Sequence, residues 1–155
     1  MATAPAQRQA AILFADIAGS TRLYETLGDA EALATITRAL DLIRQVCEEH
    51  GGRIVKTIGD AIMASFAEAP PALAAAAEMN ARIGKVGAAG DLLLKIGLHT
   101  GPSLAVDSNE RLDYFGQTVN IASRVQGLAQ TRAILATAPV IDNPKSAEVL
   151  GGNGQ

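Results

Sequence analysis

Two short segments combine residue types that could bind a metal ion and a phosphate group. In the first, Asp16 interrupts the apolar run AAILFADI of residues 10–17, a pattern that predicts a buried strand. A charged residue in such a run is seldom fully buried without a partner. Gly19-Ser20-Thr21 follows directly, and Ser or Thr at a helix start leaves backbone N–H groups free to bind an anion. This pattern fits a metal–phosphate corner, and it equally fits a carboxylate that only ends the strand.

The second segment, IVKTIGDAIMASF at residues 54–66, predicts a tight β-hairpin with Asp60 at its tip. Two β-rich runs flank Gly59-Asp60, and a Gly-Asp pair suits a two-residue turn with positive φ. That turn predicts three cross-strand pairs, which are Ile58 with Ala61, Lys56 with Met63, and Ile54 with Ser65.

Alternation of side chains divides this hairpin into two faces. The predicted core face consists of Val55, Thr57, Ile62, Ala64 and Phe66. The opposite face consists of Ile54, Lys56, Ile58, Met63 and Ser65. An apolar face with a lysine in its middle favours a groove or a partner surface. The alternative is a lysine that extends its ammonium group into water and an aspartate that belongs only to the turn.

The elements that must position these residues follow from hydrophobic periodicity. Residues 29–49 are predicted to form a long helix with one apolar stripe, made of Leu33, Ile36, Leu40, Ile43 and Cys47. Another helix opens at Pro70-Pro71. Residues 92–100 predict a strand that Gly101-Pro102 ends with a turn.

A further helix, predicted from Asn120 to about Leu128, carries the last candidate pair. Asn120 and Arg124 are four residues apart and therefore share a face of that helix. They are either a functional pair or a helix cap and a solvated arginine. By contrast, Cys47 is expected to be core, His50 a helix-end residue, and His99 a packed or hydrogen-bonded side chain, because no ligand spacing accompanies them.

Composition limits the classes of protein that are possible. The chain has 155 residues, 48% of them hydrophobic and 19% charged, with a net charge of −3. That charge offers nucleic acid no electrostatic attraction. One cysteine excludes an internal disulfide and fits a reducing compartment. No signal peptide or transmembrane run is visible, so we expect a cytoplasmic protein with no membrane segment in this chain.

The predicted order of elements is β-α-ββ-α-β-β-α-β-α, with no internal repeat. This order favours an α+β sandwich, in which helices pack on a largely antiparallel sheet. We expect a loose lead-in at residues 1–9, one folded domain at residues 10–150, and a flexible tail at residues 151–155.

Four motifs resemble a known family. FADIAGST, VKTIGDAIMASF, KIGLHTGP and DYFGQTVNIASRV, in this order, resemble the catalytic domain of class III adenylyl/guanylyl cyclases of bacterial type. The resemblance covers roughly Ile12 to Leu135. It implies a ferredoxin-like or palm-like sandwich. None of the motifs is decisive alone, but four in order at suitable spacing are highly specific.

The resemblance also implies a role for each candidate residue. Asp16 and Asp60 match the two metal-binding aspartates, and the Ile17 carbonyl is a further metal contact. Lys56 and Asp113 match the base-recognising pair. Asn120 matches the residue that orients the ribose, and Arg124 the one that stabilises the transition state at the α-phosphate.

In that family the active site lies between two protomers, so the resemblance implies a homodimer. It also implies two divalent cations, Mg²⁺ or Mn²⁺, with ATP as the substrate and cyclic AMP and pyrophosphate as the products. The domain is commonly fused to regulatory segments, and a longer parent protein could carry them.

Two alternatives remain open. One is a cyclase-homology module that is catalytically impaired and only binds nucleotide or dimerises. The other is a different two-metal nucleotidyl transferase with a similar palm, such as a diguanylate cyclase, although the GGDEF-type signature is absent. The family's fold continues with a hairpin that carries a lysine near the triphosphate, and Lys145 is not in a matching context. We therefore expect this catalytic domain to be short at its C-terminus.

Overall fold

The computed structural model describes residues 6–86, 92–108, 111–129 and 133–152. The strands are β1 Ala6–Ala18, β2 Arg53–Ile58, β3 Ala61–Phe66, β4 Leu93–Ser108, β5 Arg111–Phe115 and β6 Ala133–Ala136. The helices are α1 Ser20–Leu27, α2 Asp29–Glu49, α3 Ala69–Arg82, α4 Gln117–Leu128, α5 Ala138–Ile141 and α6 Pro144–Gly152, and a 3₁₀ turn spans Ile83–Lys85. This order confirms the predicted α+β class.

The sheet is antiparallel except at one strand. Its order is β2-β3-β1-β4-β5, and β6 pairs in parallel with the first half of β4. The two outer strands β2 and β5 also contact each other. The sheet therefore curls until its edges meet, and this brings residues from opposite edges into one site.

Each face of the sheet has its own core. Strand residues such as Leu13, Ile62 and Leu98 pack against α1, α2 and α3 in the larger cluster. A smaller cluster on the other face, which we call the α4 face, contains Ala122 of α4. Its strand members include Ile12, Phe14, Met63 and Tyr114. One helix covers the α4 face only in part, and so it leaves room for a site.

Two predicted helix boundaries and two predicted strand boundaries were wrong. α4 begins at Gln117, so Asn120 lies inside the helix and does not cap it, and α6 continues to Gly152, into the expected tail. β1 begins at Ala6, so residues 6–9 of the expected lead-in are already strand, with Gln7 opposite Leu104 and Gln9 opposite Pro102. β4 continues through Gly101-Pro102, where a turn was predicted. A proline is tolerated there because β6 pairs with residues 95–98 and β5 with residues 104–108, so the outer edge of β4 at Pro102 needs no ladder bond in the described sheet.

The hairpin forms as predicted at its tip and differs at its base. Gly59 has φ +59°, Ile58 faces Ala61, and Lys56 faces Met63. The register then shifts between Ile54 and Lys56. Ile54 therefore faces Ala64 rather than Ser65, and it packs on the larger core, whereas Val55 packs on the α4 face. A β-bulge exchanges the faces of neighbouring residues in this way, and the sequence pattern did not reveal it.

The apolar stripe of α2 is also offset from the prediction. Ile36, Ile43 and Cys47 are buried, but Leu33 has 57% of its surface exposed. Smaller residues take its place against the sheet, namely Ala32, Thr35 and Ala39. The buried face of α2 is therefore rotated towards Ala32, Thr35 and Ala39 relative to the predicted stripe.

Candidate active site

The two aspartates predicted to bind metal meet where β1 ends and the hairpin turns. Asp16 stands opposite Ala61 on β3, the residue next to Asp60. The Ile17 N–H donates to the Asp60 carbonyl over 3.1 Å, which ties the hairpin tip to β1. Asp16 also follows Ile12 and Phe14 along the α4 face, and it stands opposite Lys95 on β4. Main-chain pairing alone therefore brings the two acidic residues together.

The surroundings of Asp16 disfavour its charged form. Burial raises the pKa of the Asp16 carboxyl, and the negative charge of Asp60 raises it further. The Lys95 ammonium, the Ile17 N–H and the Gln126 side chain act in the opposite direction, but the pKa remains above its ordinary value of 3.8. Two carboxylates that repel each other in this way are suited to bind a cation.

The donor set fits a hard cation that keeps other ligands. No group of three or more His, Cys, Asp or Glu side chains within residues 6–86, 92–108, 111–129 and 133–152 could hold a metal ion. Mg²⁺ typically uses one or two protein carboxylates and takes its remaining oxygens from water and substrate phosphates. Asp16 and Asp60 supply such a pair. The role of the Ile17 carbonyl stays a prediction.

Lys56 and Asp113 form an ion pair across the closed edge of the sheet. The Lys56 ammonium donates to Asp113 Oδ2 over 3.1 Å, and Asp113 Oδ1 accepts the Tyr114 N–H over 2.8 Å. Their side chains are 39% and 30% exposed. An open cleft of about 390 Å³ borders the Lys56 side of this pair, and it is lined by Arg44, Arg53, Ile54, Val55, Lys56, Thr57 and Leu112. The pair thus offers a donor and an acceptor side by side.

α4 presents the last two candidates to solvent. Asn120 and Arg124 are both exposed, and within the described parts of the chain neither side chain has a hydrogen bond or ion pair. They are therefore free to meet a molecule that approaches from outside this protomer. The structure does not bring them into contact with either of the other pairs.

Two glycines of β4 allow α4 to lie directly on the sheet. A Cβ atom at Gly97 would stand 2.3 Å from the Gln126 backbone nitrogen, and one at Gly101 would stand 2.8 Å from the Thr118 hydroxyl. The Thr118 hydroxyl also donates to the Pro102 carbonyl. These contacts fix the height of α4 above β4, and so they position Asn120 and Arg124.

Gly97→Ala is therefore expected to destabilise the domain. The added methyl group collides with helix backbone, which cannot rotate away, and such overpacking costs about 1–3 kcal/mol. Thermal unfolding checks this, with Gly127→Ala as the matched control. Gly127 lies on the same helix with nothing within 4 Å of its would-be Cβ, so alanine there should be neutral or stabilising. Equal melting temperatures for the two variants would contradict this account of α4 packing.

The other reactive side chains have structural roles. Cys47 is buried in the larger core, where desolvation raises the pKa of its thiol to about 12. His50 caps the end of α2 and lies 3.0 Å from Glu78. His99 Nδ1 lies 2.7 Å from the Thr137 hydroxyl, and burial lowers its pKa. The predictions for these three residues are confirmed.

Sequence reasoning missed three residues near the site, which are Lys95, Gly97 and Gln126. Gly97 did carry a signal, because a glycine inside a strand pattern often marks a close backbone approach. Lys95 and Gln126 carried none, since their position beside Asp16 depends on strand register and on where α4 crosses the sheet.

The sequence matches the family model described as the adenylate and guanylate cyclase catalytic domain over residues 2–149. An adenylate cyclase of Anabaena cylindrica is 33% identical over 159 residues, which covers 90% of this chain and 32% of that protein. An uncharacterized protein of Mycobacterium tuberculosis is 33% identical over 129 residues, covering 83% of this chain and 32% of its own length. The chain belongs to the adenylate and guanylate cyclase catalytic-domain family.

Solved structures agree on the fold. The catalytic core of a rhodopsin–guanylyl cyclase with converted specificity, in complex with ATPαS, aligns with a TM-score of 0.78 at 23% identity, covering 90% of this chain and 83% of that one. The chain spans about a third of the length of these two curated relatives. In the described part of the chain, no helix is both long enough and apolar enough to cross a membrane.

Proposed function

We propose that this domain is a nucleotide cyclase that converts ATP to cyclic AMP and pyrophosphate, with two active sites shared across a homodimer. The observation that carries the proposal is the convergence of residues distant in sequence. Asp16 meets Asp60 at the hairpin tip, and Lys56 meets Asp113 at the closed sheet edge. Such convergence is expected of a site and is not needed for the fold alone.

The reaction would be attack of the ribose 3′-hydroxyl on the α-phosphorus, with pyrophosphate as the leaving group. Asp16 and Asp60 would hold two divalent cations, Mg²⁺ or Mn²⁺, which supply neutralisation of the phosphates and activation of the hydroxyl. Asn120 would orient the ribose. Arg124 would place its fixed set of donors against the charge that develops on the phosphate.

A homodimer would explain why Asn120 and Arg124 stand exposed and without a hydrogen-bond or ion-pair partner in the described chain. One protomer would supply Asp16 and Asp60, and the other would supply Lys56, Asp113, Asn120 and Arg124. Ile58 supports the proposal, because this hairpin-tip side chain is 51% exposed in the protomer. An apolar side chain at that position would gain burial at a subunit interface.

Hydrogen-bond polarity favours adenine over guanine. Lys56 can donate to adenine N1, and Asp113 can accept from the adenine N6 amine. Guanine presents an N1–H donor and an O6 acceptor, which would oppose both groups. The Tyr114 N–H binds Asp113 Oδ1 and the Lys56 ammonium binds Oδ2, so an adenine base would have to insert between Lys56 and Asp113 to meet both groups.

Exchanging the pair, as Lys56→Asp with Asp113→Lys, should relax the preference for ATP. Each mismatched hydrogen bond to a charged group is worth about 1.5–3 kcal/mol, so the ratio of kcat/KM for ATP to that for GTP should fall at least about tenfold. Steady-state kinetics with both nucleotides measure it. An unchanged ratio in a folded double variant would refute the assignment of Lys56 and Asp113 to the base.

The experiment that tests the proposed function is incubation of the purified chain with ATP and Mn²⁺ or Mg²⁺ over a range of protein concentrations. Cyclic AMP and pyrophosphate should appear in equal amounts. Specific activity should rise with protein concentration, because a shared site requires the dimer. A folded dimer that forms neither product would instead be a nucleotide-binding or dimerising module.

A further inference from the structure

Gln126 lies where α4 comes closest to the sheet. Gly97 has no side chain, and the backbone of Gln126 occupies the space where its Cβ atom would lie. Strand register places Gly97 opposite Phe14 and places Lys95 opposite Asp16. All four residues lie on the α4 face, where side chains one step along the strand are near neighbours. The helix therefore crosses β4 one step away from the first metal-binding carboxylate.

The Gln126 side chain therefore lies near the Asp16 carboxylate. It is half-buried beside Asp16, and its amide acts on the Asp16 carboxylate as a hydrogen-bond donor would, lowering the pKa of that carboxyl. Arg124 precedes it by only two residues, which is about 200° around a helix with roughly 3.6 residues per turn. Arg124 therefore points to solvent while Gln126 points to the sheet.

We infer that Gln126 is a positioning residue, which orients Asp16 for its cation and fastens α4 to that carboxylate. The inference rests on the proposed function for the identity of the metal ligands. Its consequence is a mechanical connection within one protomer. Asp16 would serve one active site and Arg124 the other, so α4 would join the two sites of the dimer.

The side chain is suited to this role. A neutral amide can donate to a carboxylate without competing with a cation for its charge, whereas Lys95, which stands opposite Asp16 on β4, carries a positive charge that opposes metal binding. Hydrogen bonds to metal-ligating carboxylates fix their orientation and commonly change metal affinity when removed. The apolar side chain of methionine has a similar length but cannot donate.

Gln126→Met should therefore weaken Mn²⁺ binding by roughly tenfold without unfolding the chain. Electron paramagnetic resonance of free Mn²⁺, titrated with the full chain, measures this without turnover. Gln117→Met is the matched control, because Gln117 is an exposed glutamine on the same helix. Gln126→Asn keeps the amide but withdraws it by one methylene group, and it should weaken binding in the same direction.

Amide hydrogen exchange tests the connection itself. Mn²⁺ should slow exchange in Gln117–Leu128 of the wild-type chain and of Gln117→Met. In Gln126→Met it should protect the end of β1 but leave α4 unchanged. Equal protection of α4 in both variants would overturn the inference.

Asp16→Asn separates failure of this inference from failure of the proposed function. If Asp16→Asn binds Mn²⁺ as tightly as wild type, or if wild type binds none, the metal site itself is wrong and the role of Gln126 falls with it. If Asp16→Asn loses Mn²⁺ but Gln126→Met keeps wild-type affinity, only the role of Gln126 is refuted.

Discussion

Arg124→Ala is expected to lower turnover by on the order of 10³-fold or more while the fold stays intact, by analogy with arginines that stabilise transferring phosphoryl groups. The side chain is exposed and makes no hydrogen bond or ion pair within the described ranges, so its removal breaks nothing in the protomer. What is lost is a planar set of donors to the charge that develops at the α-phosphate. Arg38→Ala is the control, because Arg38 is an exposed arginine on α2, which packs on the opposite face of the sheet.

Mixing the Arg124→Ala variant with an Asp16→Asn variant tests whether the two protomers share each active site. In a two-fold symmetric dimer, Arg124→Ala and Asp16→Asn protomers would combine so that one site has both defects and the other has none. An equimolar mixture that exchanges freely should recover about a quarter of the wild-type activity, since half of the dimers are mixed and each has one intact site. Failure to recover activity in mixtures shown to contain heterodimers would place both residues in one protomer's site.

The order of strands and helices was predictable because it depends on local signals. Glycines and prolines marked most of the boundaries, and alternation identified the hairpin. The signals failed where pairing with a distant strand decided the structure. Gln7 to Gln9 are polar and look like a tail, but β4 extends far enough to pair with them. Pro102 looks like a turn, but the neighbouring strands leave its outer edge unpaired.

The candidate site was predictable in its residues and not in its geometry. Asp16, Lys56 and Asp60 stood out as charges within or beside apolar runs. One hairpin related Lys56 to Asp60, but the position of Asp16 beside Asp60 depends on the pairing of β1 with β3. The ion pair between Lys56 and Asp113 joins opposite edges of the sheet, so it depends on a curl that no single strand pattern contains. The position of Gln126 beside Asp16 depends on the point where α4 crosses β4. That crossing lies at Gly97, because glycine has no side chain to hold the helix away.

Asp16→Asn is expected to abolish cyclase activity and, at the same time, to raise the melting temperature of the metal-free domain. The activity should be lost because an uncharged amide cannot replace a carboxylate in the proposed pair of metal ligands, Asp16 and Asp60. The gain in stability follows from the raised pKa of Asp16, whose main causes are burial and then the charge of Asp60. Asparagine has nearly the same shape as aspartate but carries no charge, so the free-energy cost of burying a charged carboxylate is removed.

The sign of this effect depends on pH. Because the pKa of Asp16 is higher in the folded state, the folded state holds the proton over a range in which the unfolded chain has released it. The stabilisation that Asp16 gives the wild-type fold is therefore complete below pH 3.8, the ordinary pKa of this carboxyl, and it is lost as pH rises through the folded-state pKa. The stabilisation by Asp16→Asn should accordingly be absent in acid and full at neutral pH.

Thermal unfolding of the metal-free protein at several pH values measures this difference, with Asp142→Asn as the exposed control. Saturating Mn²⁺ should reduce the difference in melting temperature between Asp16→Asn and wild type, because a bound cation stabilises the folded wild type but has fewer ligands in the variant. A variant that melts below wild type at neutral pH would mean that the Asp16 carboxylate stabilises the fold. The charge of Asp16 would then have a structural role, and the case for a metal site at the hairpin tip would rest on Asp60 alone.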